Sequence, residues 1–205
     1  QDEEGGSFDF YAFACDFVRP LIDLNRSVVL GIDNARRAFR QIEEGDNVVF
    51  FANHQSELDT PIMSILLETV GFGDEASRIT YVAGHKVTTD PLAIPFSMGQ
   101  NLICVHSKKH IMSDPATVLA KKRQNYKALA EILRMLGKGR AALWVAPSGG
   151  RDRRSPASGE VLPARFDLDV VEKYRLMGSK SKTRTHYYPL SMVTFELCPP
   201  PDFLD

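Results

Sequence analysis

A chain of 205 residues, 43% hydrophobic and 25% charged, holds enough apolar material for one core of ordinary size. Its 25 Lys and Arg nearly balance 26 Asp and Glu, a formal net charge of −1, which excludes a generally cationic nucleic-acid binder. No window reaches the roughly 18 consecutive apolar residues of a membrane span, the opening QDEEGG has no apolar targeting core, and Cys15, Cys104 and Cys198 match neither a zinc spacing nor a disulfide framework, which favours a reducing compartment.

Residues 8–43 carry helical patterning. Phe8, Tyr11, Phe13, Phe17 and Val18 lead to a break at Pro20, and a second stretch runs from about Arg26 to Ile42 and stops at Gly45. The block Val48, Val49, Phe50, Phe51 predicts a buried strand over 47–52. Ile62, Ile65, Leu66 and Val70 then recur at helical spacing, predicting a helix over 60–70. Strands follow at 79–83 and 101–105. A long helix over about 114–136 has Ser113 as N-cap, Pro115 near its start and Gly137 at its end, with Leu119, Tyr126, Leu129, Leu133 and Leu136 as its apolar stripe. A strand at 141–146, a polar Pro- and Gly-punctuated loop over 150–169 and a strand at 187–194 complete the pattern. Strands alternating with helices predict an α/β domain spanning 46–205, with residues 1–45 as a helical lead-in packed on it.

The chemistry concentrates where strands end. His54 leaves the end of the 47–52 strand and Asp59 opens the next helix. Residues five apart on one regular helix are rotated by roughly 140°, so the two meet only if the chain turns between them. Ser56 followed by Asp59 fits a capping box, and Pro61 fits the first turn of a helix, so that turn is available. A carboxylate bonded to one imidazole nitrogen fixes the tautomer and leaves the other nitrogen to take a proton. The plainer alternative is a histidine that caps a loop and an aspartate that only caps a helix.

Charge is uneven: residues 108–154 contain 12 Lys and Arg against 3 Asp and Glu, which points to a local anion site. Two basic segments sit directly after strands. Ser107-Lys108-Lys109-His110 follows 101–105, where side chains and helix-terminal amides suit a phosphate, although charge runs are usually solvated. Ala146-Pro147-Ser148-Gly149-Gly150-Arg151-Asp152-Arg153-Arg154 follows 141–146. There two glycines let the backbone close around an anion and arginines two apart project alike. The alternative is a surface loop in which Asp152 pairs with an arginine. The segment from Tyr81 to Gly99 lines an apolar pocket or packs the core. His85, His106 and His186 stand alone, with no second ligand at metal spacing. Nucleophile elbow, Walker loop and dinucleotide fingerprint are all absent. A base without an evident covalent nucleophile suits direct transfer: a hydroxyl on a phosphate-bearing acceptor is deprotonated and attacks an activated carbonyl.

These residues resemble a known family. NHQSELD at 53–59 is similar to the H-x4-D block of the glycerolipid acyltransferases. YVAGHKVTTDPLAIPFSMGQNLICVHSKKH at 81–110 and WVAPSGGRDRRSPASGEVLPARFD at 144–167 resemble its plastid branch, the soluble glycerol-3-phosphate acyltransferases of plants and algae. The likeness runs from about residue 8 to the end. It implies transfer of a fatty acyl group from a thioester, on acyl carrier protein or CoA, to the sn-1 hydroxyl of glycerol 3-phosphate. By the family pattern His54 is the base, Asp59 orients it, and Lys109, His110, Arg151 and Arg153 hold the phosphate. The resemblance further implies a mixed sheet flanked by helices, no metal and no other cofactor, and a place in the plastid stroma. Nucleic acid and membrane-spanning segments are not implied; transient contact with a membrane surface is compatible with it. Members of that branch carry an additional N-terminal helical domain and continue past the region matching Pro199–Pro201, so this chain corresponds to part of their length. Two other readings stand beside this one: a lysophosphatidate acyltransferase, and a non-catalytic module of the same fold that binds phosphate or anionic lipid.

Overall fold

In the computed structural model, which describes residues 8–91 and 93–200 and omits the side chains of residues 108 and 109, the chain opens with α1 (Phe10–Val18). A 3-10 turn at Arg19–Leu21 takes up the break that Pro20 imposes, and α2 (Ile32–Glu43) leads into the sheet. The first strand, β1 (Asn47–Ala52), is buried at every position, as an apolar run covered on both faces should be. It is followed by α3 (Asp59–Thr69), α4 (Gly73–Ser77), β2 (Thr80–Gly84), α5 (Ile94–Met98) and β3 (Asn101–Val105). Next come α6 (Lys108–Met112), α7 (Val118–Lys138), β4 (Ala142–Val145), β5 (Arg153–Arg154), β6 (Val161–Leu162), α8 (Leu168–Lys180) and β7 (Thr185–Leu190).

Five strands form one sheet in the order β3-β2-β4-β1-β7. Each pairing in it is parallel, with Phe51 level with Val145 on one side and Pro189 on the other. The expected α/β sheet flanked by helices is present. Its expected mixed character resolves into this parallel sheet and a separate antiparallel ribbon, β5 with β6, inside the segment read from sequence as a loop. Parallel pairing in the sheet follows from the connections: each of its five strands is joined to the next of the five through at least one helix.

Alternate residues of the strands face opposite helical layers. Val48, Phe50, Tyr81, Ala142 and Trp144 pack beneath α2, α3 and α4 with Phe39, Met63 and Leu67. Val49, Phe51, Ile103, Leu143 and Val145 pack beneath α7 and α8 with Ile132, Leu136, Tyr174 and Met177. Buried Asn47 ties the layers at the start of β1: its amide donates to Leu136 O at 2.9 Å, and its carbonyl accepts from Ala141 N at 3.1 Å. The lead-in helix α1 packs Cys15 and Val18 on Leu58, Ile62 and Ile65 of α3 and the loop before it. On another side the start of α1 closes on the end of α5, where only Gly99 fits, because a Cβ there would lie 2.5 Å from the backbone of Phe10 and Tyr11.

The long helix departs from its sequence reading. Leu119 and Tyr126 are 82% and 72% exposed, while Ala128, Ile132 and Leu136 are buried. Residues seven apart drift only about 20° on a helix, so 119, 126 and 133 do form a stripe, but it lies roughly 100–140° away from the Ile132 direction. Ser113 ends α6 instead of starting the long helix, and Asp114 caps the 3-10 turn at Pro115–Thr117.

Leu143, fully buried in the central strand, is expected to lose about 2–5 kcal/mol of stability on Leu143→Ala. Exposed Leu119→Ala is expected to stay within about 0.5 kcal/mol. Urea midpoints of the two variants check both; equal losses would contradict the assigned faces.

Candidate active site

A parallel sheet delivers the ends of all its strands to one edge, so the loops after β1, β2, β3, β4 and β7 share a rim. On that rim β1 and β4 are neighbours whose chains leave in opposite directions. From β1 the chain crosses to β2 through α3, on the layer of Phe39 and Met63. From β4 it crosses to β7 through α8, on the layer of Ile132 and Tyr174. The crevice where connections diverge is the characteristic ligand site of an open α/β sheet. His54 stands at the exit of β1 and Arg151 in the loop after β4, at the two adjacent exits of this divergence.

His54 and Asp59 meet. The imidazole Nδ1 lies 2.8 Å from Asp59 Oδ2, with the histidine side chain 27% exposed and the aspartate 1%. The intervening turn is tight: Ser56 Oγ accepts from Leu58 N at 3.0 Å, and Asp59 N donates to Ser56 O at 3.2 Å. Asp59 reaches back over it. Its Oδ2 also accepts from Gln55 N at 2.8 Å, and its Oδ1 accepts from Ser56 N at 3.1 Å and Thr194 Oγ1 at 2.5 Å. Both oxygens therefore act only as acceptors, so Nδ1 of the neutral ring carries the proton and Nε2 holds the free lone pair. The indole of Trp144 meets the imidazole edge-on, at 5.9 Å between ring centres, and limits where the ring can lie.

A second carboxylate fixes the arginine loop to this turn. Asp152 is fully buried and, among the described residues, pairs with no arginine, contrary to the surface-loop alternative. Its N–H donates to His54 O at 2.6 Å. Its Oδ2 accepts from Asn53 Nδ2 at 3.0 Å and Gln55 Nε2 at 3.2 Å, and its Oδ1 accepts from Ala164 N at 2.8 Å. Asn53 in turn exchanges two hydrogen bonds with the backbone of Met192, at 2.9 and 2.8 Å, and Gln55 Oε1 accepts from Thr194 N at 2.8 Å and Phe195 N at 3.2 Å. The residues flanking His54 thus hold the loop after β4 and the segment after β7 in one polar network. Asn53, Gln55, Asp152 and Thr194 escape a reading by motif, because a single polar residue reveals its burial only in three dimensions. The spacing of Gln55 from His54 was the one available signal.

Alternation along an extended segment puts Arg151 and Arg153 on the side away from Asp152. Arg151 Nη1 lies 3.1 Å from Glu57 Oε1, which places that guanidinium against the His54 turn. Arg153 is half-buried in β5. Arg154 is spent elsewhere: it donates to Gly159 O and Glu196 and covers the ring of Phe195. His110 is exposed on α6, with Nδ1 against Ser107 Oγ at 2.8 Å; Lys109 belongs to the same helix and its side chain lies outside the described residues. Their loop follows β3, three strand spacings or roughly 14 Å along the rim from β1. Among the described residues no group of three or more His, Cys, Asp or Glu is placed to hold a metal ion, and no helix is long and apolar enough to cross a membrane. Burial pushes the thiols of Cys15 and Cys104 up, so both are protonated and weak as nucleophiles at neutral pH.

A family model described as Acyltransferase matches residues 28–191. A chloroplastic glycerol-3-phosphate acyltransferase of Arabidopsis thaliana is 44% identical over 195 residues, 95% of this chain and 42% of that protein. Proteins of the same name from Phaseolus vulgaris and Spinacia oleracea are 42% and 40% identical over 194 and 193 residues. These cover 95% and 94% of this chain, and 42% and 41% of the two relatives. The chain spans about two-fifths of the length of the curated relatives it matches.

Asp152→Ala strands the donors of Asn53, Gln55 and Ala164 and is expected to cost about 3 kcal/mol. Faster trypsin cleavage at Arg151, Arg153 and Arg154 is expected with it, read on peptide maps. Unchanged stability and cleavage would show that the loop is held by something else.

Proposed function

The chain belongs to the acyltransferase family, and from that premise we propose that it moves a fatty acyl group from a thioester to the sn-1 hydroxyl of glycerol 3-phosphate, giving 1-acyl-sn-glycerol 3-phosphate. The observation that supports this reading is the 2.8 Å contact of His54 Nδ1 with Asp59, which leaves Nε2 to take a proton, with Arg151 held to the same turn through Glu57. In the proposed reaction Nε2 takes the hydroxyl proton as the acceptor oxygen attacks the thioester carbonyl. Collapse of the tetrahedral adduct breaks the C–S bond, and the imidazolium returns its proton to the departing sulfur. Asp59 holds the ring in the productive tautomer and stabilises the cation formed on it.

The acceptor phosphate is assigned to Arg151 and Arg153, with Lys109 and His110 completing the cationic set from the loop after β3. Arg151 already meets one carboxylate, Glu57, and a phosphate would take over that fork with a bidentate pair of bonds. The donor is a thioester on acyl carrier protein or CoA, and no metal or other cofactor enters the scheme. The relatives' names carry the word chloroplastic, which supports a plastid location for this chain too. The sequence identity to proteins named glycerol-3-phosphate acyltransferase supports this acceptor over lysophosphatidate.

Thiol release from an acyl thioester, followed with and without glycerol 3-phosphate, tests the proposal. Release should require the acceptor; acceptor-independent release would instead identify a thioesterase, and none at all a binding module. His54→Ala is expected to lower kcat by roughly 10²–10⁴-fold with little change in KM. Arg151→Ala is expected to raise the KM for glycerol 3-phosphate by roughly tenfold or more, and by more than His110→Ala does. Cys104→Ser should leave turnover within about twofold, since a protonated thiol takes no part in direct transfer.

A further inference from the structure

Thr194 lies on the segment that follows β7, three residues past the region matched by the family model. No motif includes it, yet its hydroxyl reaches the buried carboxylate that orients His54. Thr194 Oγ1 lies 2.5 Å from Asp59 Oδ1, the oxygen opposite the one that holds the imidazole. The threonine does not arrive there by chance of side-chain rotation. Its N–H and that of Phe195 donate to Gln55 Oε1, and Met192 is bonded at both backbone groups to Asn53. The two residues flanking His54 therefore fix the backbone that carries the hydroxyl.

We propose that Thr194 is a positioning residue for the His54–Asp59 pair, acting through Asp59 to set both the orientation and the basicity of the imidazole. Asp59 has two ways to spend its charge. Donors on Oδ1 draw electron density away from Oδ2, and a weaker Oδ2 stabilises a protonated His54 less. Removing the Thr194 hydroxyl leaves Ser56 N as the remaining donor on Oδ1 among the described residues, which strengthens Oδ2 as a partner and favours the imidazolium. It also frees the carboxylate to rotate, and a base displaced by a fraction of an ångström loses rate steeply.

Among the described residues the charged or titratable groups around the pair include the Glu57–Arg151 couple on the flanking loops, Asp152 behind His54, Tyr81 beneath Trp144, and the Arg154–Glu196 couple beyond Phe195. None of them bonds to Asp59 Oδ1, so a change at position 194 reads the hydroxyl. The catalytic part of this inference rests on the proposed acyl transfer; the geometric part does not.

The test compares wild type, Thr194→Val and Thr194→Ser. Two quantities are read: the titration of the His54 Cε1–H by proton NMR, which needs no activity, and the pH dependence of kcat/KM for acceptor-dependent thiol release. Thr194→Val should move the His54 titration up by about half a pH unit or more. It should carry the acid limb of kcat/KM with it and lower kcat about 5- to 20-fold, with the KM for glycerol 3-phosphate within twofold. Thr194→Ser should restore all three. If Thr194→Val does not fold, Thr194→Ala against Thr194→Ser makes the same comparison. A His54 titration identical in the valine and serine variants overturns the proposal. Wild type lacking transfer activity overturns the proposed reaction instead, while the NMR titration still decides the role of Thr194.

Discussion

A buried carboxylate must be surrounded by donors or it will not stay where it is, and in this molecule two of them set that demand side by side. Asp59 and Asp152 are each almost wholly withdrawn from solvent, and among the described residues neither bonds to a lysine or an arginine. Their partners are backbone N–H groups, two amide side chains, one hydroxyl and one imidazole. Breaking such a set leaves uncompensated charge in the interior, a loss far larger than the net gain of any one of its hydrogen bonds. The loop after β1, the loop after β4 and the segment after β7 are consequently held together by what the two carboxylates require.

The sheet provides the frame in which this is feasible. Because its five strands run parallel, every exit loop lies on one rim, and because the chain leaves β1 and β4 toward opposite layers, their adjacent exits form the divergence point at which open α/β sheets bind ligands. His54 stands at one of these exits, and Arg151 and Arg153 follow the other. Asp152 ties the two loops by backbone and side chain together, so the placing of His54 relative to the arginine loop is fixed by the fold. Preorganisation of that kind is how an enzyme avoids ordering its groups during the reaction.

Much of this was legible in one dimension, and the boundary is physical. β1 was readable because four consecutive apolar residues fit only a strand covered on both faces, and its exit into His54 followed from the next helix signal. The meeting of His54 with Asp59 was open to a reading by spacing, because a turn between them allows it, but a loop-capping histidine beside a helix-capping aspartate fits the same five residues. The short helices α5 and α6 and the helix α8 were not, since their amphipathic patterns are brief or broken by polar residues. The face of α7 was misjudged because exposed Leu119, Tyr126 and Leu133 repeat as regularly as core residues do. Asp152 looked like a surface charge between arginines, and Thr194 like the end of a strand over 187–194, whereas the strand stops at Leu190. Their burial and bonding depend on strands that meet from opposite ends of the chain.

The central claim is that the neutral ring of His54 carries its proton on Nδ1, given to Asp59, and presents Nε2 to the crevice. Nitrogen-15 NMR of histidine-labelled protein tests it directly, through the coupling of each ring nitrogen to its proton and to Cε1–H. The account predicts a protonated Nδ1 and a bare Nε2 for His54, with the Nδ1 proton displaced downfield by the carboxylate. A His54 ring protonated on Nε2 in its neutral form would contradict it.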